Sequence, residues 1–221
     1  MSSYQPATVL KGKFVRSSRG NFLRKALVVF QFASSTTLII GTFVVGKQLA
    51  FMNDADLGIN IKNIITIKSP ELMPWDSTFI QRVESYKDAL ADINGVFGVT
   101  TTGRLPGDRL GRSFGVRLSD SEAHYTLSNM NVDYSFFDTY NVSLLAGRKF
   151  VPSDHDADFD KLNKVILNKN ATQLLGLKSP EEAVGKEIIW GDNDTRRWTI
   201  IGVVNDFHQE SLKKPMEPIV F

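Results

Sequence analysis

The chain has 221 residues, of which 42% are hydrophobic and 23% charged, and it contains no cysteine. At about 150 residues per domain that length gives one domain and a fraction. The composition is that of an ordinary globular chain, which excludes wholesale disorder and a protein built of many membrane spans. The missing cysteines exclude disulfides, thiol nucleophiles and Cys-ligated zinc.

The net charge of +2 conceals a division. Residues 1–47 carry seven basic side chains (Lys11, Lys13, Arg16, Arg19, Arg24, Lys25 and Lys47) and no acidic one, whereas the remainder holds 19 basic and 24 acidic residues. Within the basic part, residues 26–46 (ALVVFQFASSTTLIIGTFVVG) carry no charge. As a helix rising 1.5 Å per residue, that run spans about 30 Å, the thickness of a bilayer's hydrocarbon core. The spacing therefore predicts a transmembrane helix at 26–46. The KQLAF exit lacks the small-residue site of a cleavable signal peptide, so the segment is expected to stay attached.

Lys and Arg beside a span are retained on the cytoplasmic side. Residues 1–25 are accordingly expected to form a cytoplasmic basic linker, and residues 48–221 an extracytoplasmic domain. The basic arm then faces anionic headgroups, and nucleic acid is not expected as a partner. Gln31, Ser34, Ser35, Thr36, Thr37 and Thr42 are polar within the span, and Ala33, Thr37 and Gly41 recur at the small-residue spacing that lets helices pack closely. The alternative is a lone anchor whose hydroxyls bond back to their own helix.

Beyond the span, residues 61–68 (IKNIITIK) read as a strand ending at Pro70. Thr78 with Gln81 fits a capping box. It opens a helix on which Phe79, Ile80, Val83, Tyr86, Leu90 and Ile93 recur at helical spacing, closed by Asn94-Gly95. Strands are predicted at 96–102, 114–118 and 125–132, a short aromatic helix at 134–140, strands at 142–145, 164–167, 187–190 and 197–204, and short helices at 171–175 and 180–183. Helices scattered among strands without regular βαβ alternation predict an α+β domain after the N-terminal helix.

Several strings imitate active sites. Gly111, Ser113 and Gly115 satisfy G-x-S-x-G, but a nucleophile elbow needs a strand before the serine and a helix after it, and here a Pro106-Gly107 loop precedes and a strand follows. Gly185-Lys186-Glu187 lacks the upstream glycine and the following Ser or Thr of a phosphate loop. Asp154, Asp156, Asp158 and Asp160 alternate as calcium ligands do. The positions that need Gly and Glu hold Phe159 and Val165, so a solvated acidic loop is expected. His124, His155 and His208 are dispersed, and Asp206-Phe207-His208 is read as structural hydrogen bonding. No set of acid, base and oxyanion donor assembles, so the chain is not expected to be an enzyme, and no catalytic, cofactor or metal residue is assigned.

The order of VLKGKF at 9–14, RKALVVFQFASSTTLIIGT across the span, QLAFMNDADLGIN after it, VDYSFFDTYNVSLLAGRKF at 132–150 and IGVVNDFHQESLKKPMEPIVF at 201–221 resembles the FtsX/MacB-like ABC transporter permeases. It looks most like the second half of the long, duplicated members. The resemblance implies a cell-membrane (inner-membrane) permease subunit whose first helix leads into a MacB-like periplasmic core domain, followed by three more membrane helices. A separate cytoplasmic ATPase would bind ATP and drive movement of the outer domain for export or extraction of peptides, lipoproteins or drugs. Implied partners are that ATPase, other permease helices, membrane lipid and a periplasmic or lipoprotein partner. By that pattern the chain is expected to be a fragment or a truncated frame. The rival reading is a single-pass sensor or binding domain.

Overall fold

The computed structural model describes residues 18–68, 78–111, 113–156, 158–190 and 196–221. Lys11, Lys13 and Arg16 of the basic arm, Pro70 and Arg112 lie outside the described residues. The chain divides into two compact units, Met1–Ala55 and Asp56–Phe221.

The described part of the first unit is helix α1, Ser18–Asp54. Its 37 residues reach about 55 Å, so the helix extends beyond the uncharged run at both ends. Its apolar side chains are exposed on every face, from Phe22 and Leu23 through Phe32, Ile39 and Phe43 to Phe51 and Met52. A helix apolar all round needs a core or a membrane around it, and among the described residues of this unit nothing covers the span.

In the second unit, helix α2 (Phe79–Ala91) is followed by strands β1 (Ser113–Leu118) and β2 (Tyr125–Asn129), helix α3 (Phe136–Thr139) and strand β3 (Leu144–Gly147). Then come β4 (Lys164–Asn168), α4 (Lys169–Leu174), α5 (Pro180–Ala183), β5 (Glu187–Trp190), β6 (Arg197–Val204) and β7 (Ile219–Val220). Among the described residues these strands form one sheet in the order β3-β6-β4-β7-β2-β1-β5, and β5 also pairs with β6. The sheet therefore closes on itself. β6 has β4 along one side, while β5 takes residues 197–199 and β3 residues 202–204 of the other. Among the described residues closure leaves β3, which pairs only with β6, as the strand with an open edge.

Alternation along the strands separates two cores. On β4, Val165 and Leu167 face one cluster with Val116, Leu127, Ile188, Trp198 and Ile200, to which α4 and α5 add Ala171 and Ala183. Every strand of the closed ring contributes to this cluster, so it fills the ring's interior. Ile166 points the other way, into Met130, Phe136, Phe137, Tyr140, Phe207 and Phe221. Two-sided burial explains why β4 is a continuous apolar run. Asn168, fully buried, ties the C-terminal segment down: its Oδ1 accepts from Ala171 N, capping α4, and from Ile219 N, while its Nδ2 donates to Glu217 O.

The structure departs from the predicted elements at four places. Residues 61–68 form no strand: Asn63 adopts a left-handed conformation (φ 61°) that puts a turn inside the run. Residues 96–102 pair only through the Thr102–Val132 bridge, because the Asp133 carboxylate takes the Thr101 N–H that a ladder would use. Thr78 does not cap α2 with its side chain; its hydroxyl accepts from Arg82 instead. Strand β7 was not anticipated. It is two residues long and follows Pro218, yet it joins β4 to β2.

Candidate functional site

The acidic loop is not uniformly solvated. Asp154 has a side chain 2% exposed, because Arg148 (2.5 Å) and Lys164 (2.6 Å) both bond its carboxylate and Val151 N donates to it at 3.0 Å. The Arg148 guanidinium first, then Lys164 and the Val151 N–H, outweigh burial and hold the Asp154 carboxyl well below the usual carboxylate range. Asp156 and Asp158 lie near Lys161, and Asp160 pairs with Arg196. The loop thus neutralises its carboxylates with cations of its own chain.

A depressed folded-state pKa contributes stability above the unfolded value, and that contribution fades as pH falls toward the folded one. Asp154→Asn is therefore expected to destabilise the domain by about 2 kcal/mol at neutral pH. The gap to wild type should narrow below about pH 4, as urea unfolding at a series of pH values would show. A gap constant with pH would contradict the assignment.

Ser113 opens β1, exposed and opposite Ser128, with a strand after it instead of the helix an elbow needs. His124 and His155 are exposed and His208 is half-buried. The Asp206 carboxylate accepts from Asn170 N at the start of α4. These groups are dispersed over separate elements, and no group of three His, Asp or Glu with metal-binding geometry occurs among the described residues.

Sequence reasoning missed a heavily connected polar cluster of the domain. Lys87, on α2 and 5% exposed, lies 2.8 Å from Asp133 Oδ2 and 3.3 Å from Glu84 Oε1, with its ammonium 4.0 Å from the Tyr134 ring centroid. Asp133 also accepts from Thr100 Oγ1 (2.5 Å), Thr101 N (3.0 Å) and Ser135 N (3.0 Å), and the Tyr134 hydroxyl donates to Glu84 at 2.5 Å. Burial alone would lower the Lys87 pKa, but the hydrogen bonds to Asp133 and Tyr134 and the charges of Asp133 and Glu84 outweigh it and raise it. The cluster fastens α2, residues 100–101 and the segment before α3 to one buried ammonium. Ile80, Val83, Lys87 and Leu90 share a helix face, so a lysine in an apolar stripe was the signal available.

On α1 the hydroxyls of Ser34, Thr37 and Thr42 donate to the carbonyls of Phe30, Ala33 and Leu38 at 2.7, 2.9 and 2.9 Å. Those three are satisfied within the helix, as the lone-anchor alternative requires. Gln31 has no hydrogen-bond partner for its amide among the described residues. Beyond its own helix backbone and chain neighbours, Gly41 has no atom of the described residues within 4 Å of where a Cβ would stand.

No curated protein matches the chain. Among solved structures, it is similar to the extracellular domain of the noncanonic ABC-type transporter YknZ from Gram-positive bacteria, at 18% identity and a TM-score of 0.42 over 62% of this chain and 59% of that one. It is similar to the periplasmic region of MacB from Actinobacillus actinomycetemcomitans at 19% identity and a TM-score of 0.40, over 61% of this chain and 60% of that one. A domain of a putative permease protein from Porphyromonas gingivalis matches at 20% identity and a TM-score of 0.41, over 60% and 54%. The chain thus spans less than two thirds of each of these structures. The family model described as the MacB-like periplasmic core domain matches residues 26–219, from the start of the uncharged run on α1 into β7, and the chain therefore belongs to that family of ABC-type transporter permease domains.

Proposed function

We propose that the chain acts as a permease subunit, or as part of one, that transmits movement from a separate cytoplasmic ATPase to its sheet domain. In this reading residues 1–25 form a cytoplasmic linker, 26–46 cross the membrane and 48–221 lie outside it. The cargo or target is a peptide, lipoprotein or drug, and the chain makes and breaks no covalent bond. The observation that carries the reading is the single family match running without a break from the apolar helix into the sheet domain.

The charges at the ends of α1 support the orientation. The helix has no acidic residue in its first turn and no basic residue in its last. Arg24 and Lys25 stand near its start and Asp54 at its end. Of these charges only Asp54, in the last turn, opposes the helix dipole, at a few tenths of a kcal/mol, because Arg24 and Lys25 lie beyond the first turn. It is the arrangement that retention of positive charge in the cytoplasm demands.

If α1 packs in a helix bundle, the Ala33, Thr37 and Gly41 stripe makes close contact with a neighbouring helix, since lipid tails supply no hydrophobic drive. A Cβ at Gly41 meets no described residue beyond its own helix backbone. Relative to Val44→Leu, Gly41→Leu is expected to lower copurification of the full permease with its ATPase about fivefold, an interhelical term of about 1 kcal/mol. Equal copurification of the two variants would count against a bundle helix.

A further inference from the structure

At the end of the ring where β1 begins and β2 and β5 stop, a cleft of about 360 Å³ is lined by Arg104, Phe114, Asn129, Asn131, Phe159 and Trp190, with Gly103 and Gly111 at its rim. That volume lies within the range of small-molecule sites. One wall is a continuous aromatic set. Phe114 meets Trp190 edge to face (5.7 Å), Trp190 meets Trp198 (5.1 Å) and Trp198 meets Phe159 (5.6 Å). Arg196 stacks on both Phe159 (4.3 Å) and Trp198 (4.4 Å), and bonds the Phe159 and Leu162 carbonyls and Asp160, which fixes the wall in place.

The polar groups of the cleft are, by contrast, unused. Arg104 is exposed and, among the described residues, its guanidinium has no ion pair and no hydrogen bond. It lies against Gly111, where a Cβ would stand only 3.0 Å from its terminal nitrogen. The Asn129 amide nitrogen is buried without a hydrogen-bond partner, and the Asn131 amide bonds nothing among the described residues. A free guanidinium beside unpaired amides and a rigid aromatic wall is the usual composition of a site, with few polar groups set in an apolar surround.

We propose that this cleft binds a small organic carboxylate carrying a flat apolar group, with Arg104 holding the carboxylate and the Phe114, Trp190 and Phe159 rings packing the apolar part. A guanidinium presents a planar fork that matches a carboxylate bidentately. Among the described residues the cleft offers one unpaired cation, which suits a single negative charge, because Arg196 is already engaged with Asp160. Asn131, exposed at the cleft, then serves an amide or hydroxyl group next to the carboxylate, since its side chain both donates and accepts.

The test uses the full chain in detergent, titrated with N-acetyl-phenylalanine and, separately, with its neutral amide, followed by tryptophan fluorescence. The acid is expected to give a saturable change and the amide to bind about tenfold more weakly or worse, the value of a charge-assisted bidentate contact. Arg104→Gln should weaken binding of the acid about tenfold without moving the thermal midpoint, because the side chain is exposed and unpaired. A response that does not saturate, equal affinity for acid and amide, or undiminished binding by Arg104→Gln would each overturn the proposal.

Discussion

Replacing Lys87 with methionine is expected to destabilise the sheet domain by about 3–5 kcal/mol, the cost of breaking a buried pair by removing one partner. Methionine fills the space, so the loss is electrostatic. Asp133, with its side chain 2% exposed, would keep its charge and lose its ammonium partner. The Glu84–Tyr134 bond would lose the cation beside it, and α2, otherwise only half-buried on its apolar face, would be held less firmly. The double variant Lys87→Met with Asp133→Asn should be more stable than Lys87→Met alone, because the uncompensated charge is gone. Urea unfolding of the full chain in detergent decides this. A Lys87→Met variant within about 0.5 kcal/mol of wild type, the range of ordinary surface changes, would contradict the role given to the cluster. The raised Lys87 pKa makes the cluster's contribution depend on pH on the alkaline side. Its contribution is fully present below the unfolded value of about 10.4 and is lost as pH rises through the higher folded value.

The second large effect is expected at Gly202. It pairs with Gly147 where β3 meets β6, and a Cβ on Gly202 would overlap the backbone carbonyl oxygen of Arg148. Gly147 is itself left-handed (φ 74°), and a Cβ there would overlap the Ile201 carbonyl. Two glycines facing each other thus let two backbones approach more closely than side chains permit, at the point where β3 takes over the edge of β6 from β5. The obstruction is backbone on both sides, so no rotamer change relieves it. Gly202→Ala is expected to cost about 3 kcal/mol. Gly115→Ala on β1, where a Cβ meets nothing within 4 Å, should stay within about 0.5 kcal/mol of wild type. Equal stability of the two variants would remove the close approach as an explanation.

What could be read from the sequence follows the physics of each signal. The apolar run of α1 stood out because an uncharged stretch long enough to cross a bilayer is a linear signal that needs no tertiary contact to be read. β1, β2, β4, β5 and β6 were legible because alternation or continuous apolarity reports burial directly. Residues 61–68 carry the same composition but no strand, since a single left-handed residue, Asn63, interrupts them. For residues 96–102 the competitor was a side chain 32 positions away, Asp133, which took the Thr101 N–H. β7 is too short to show a period, and Asn168 sets its place from 51 residues away. Lys87 was passed over because a lysine on an amphipathic helix is normally solvated. The Arg104 cleft assembles from four separate parts of the chain, and no linear spacing records it.

The most direct test of the permease reading is the sidedness of the two ends of α1. The chain has no native cysteine, so single substitutions report cleanly. Glu122→Cys, in the exposed turn between β1 and β2, and Ser3→Cys, in the basic arm, would be treated in intact cells with a membrane-impermeant thiol reagent, after permeabilising any outer membrane. Labelling at position 122 and protection at position 3 until the cells are lysed is the expected result. Labelling at position 3 with protection at position 122, or labelling of neither before lysis, would contradict an extracytoplasmic sheet domain driven from the cytoplasm through α1.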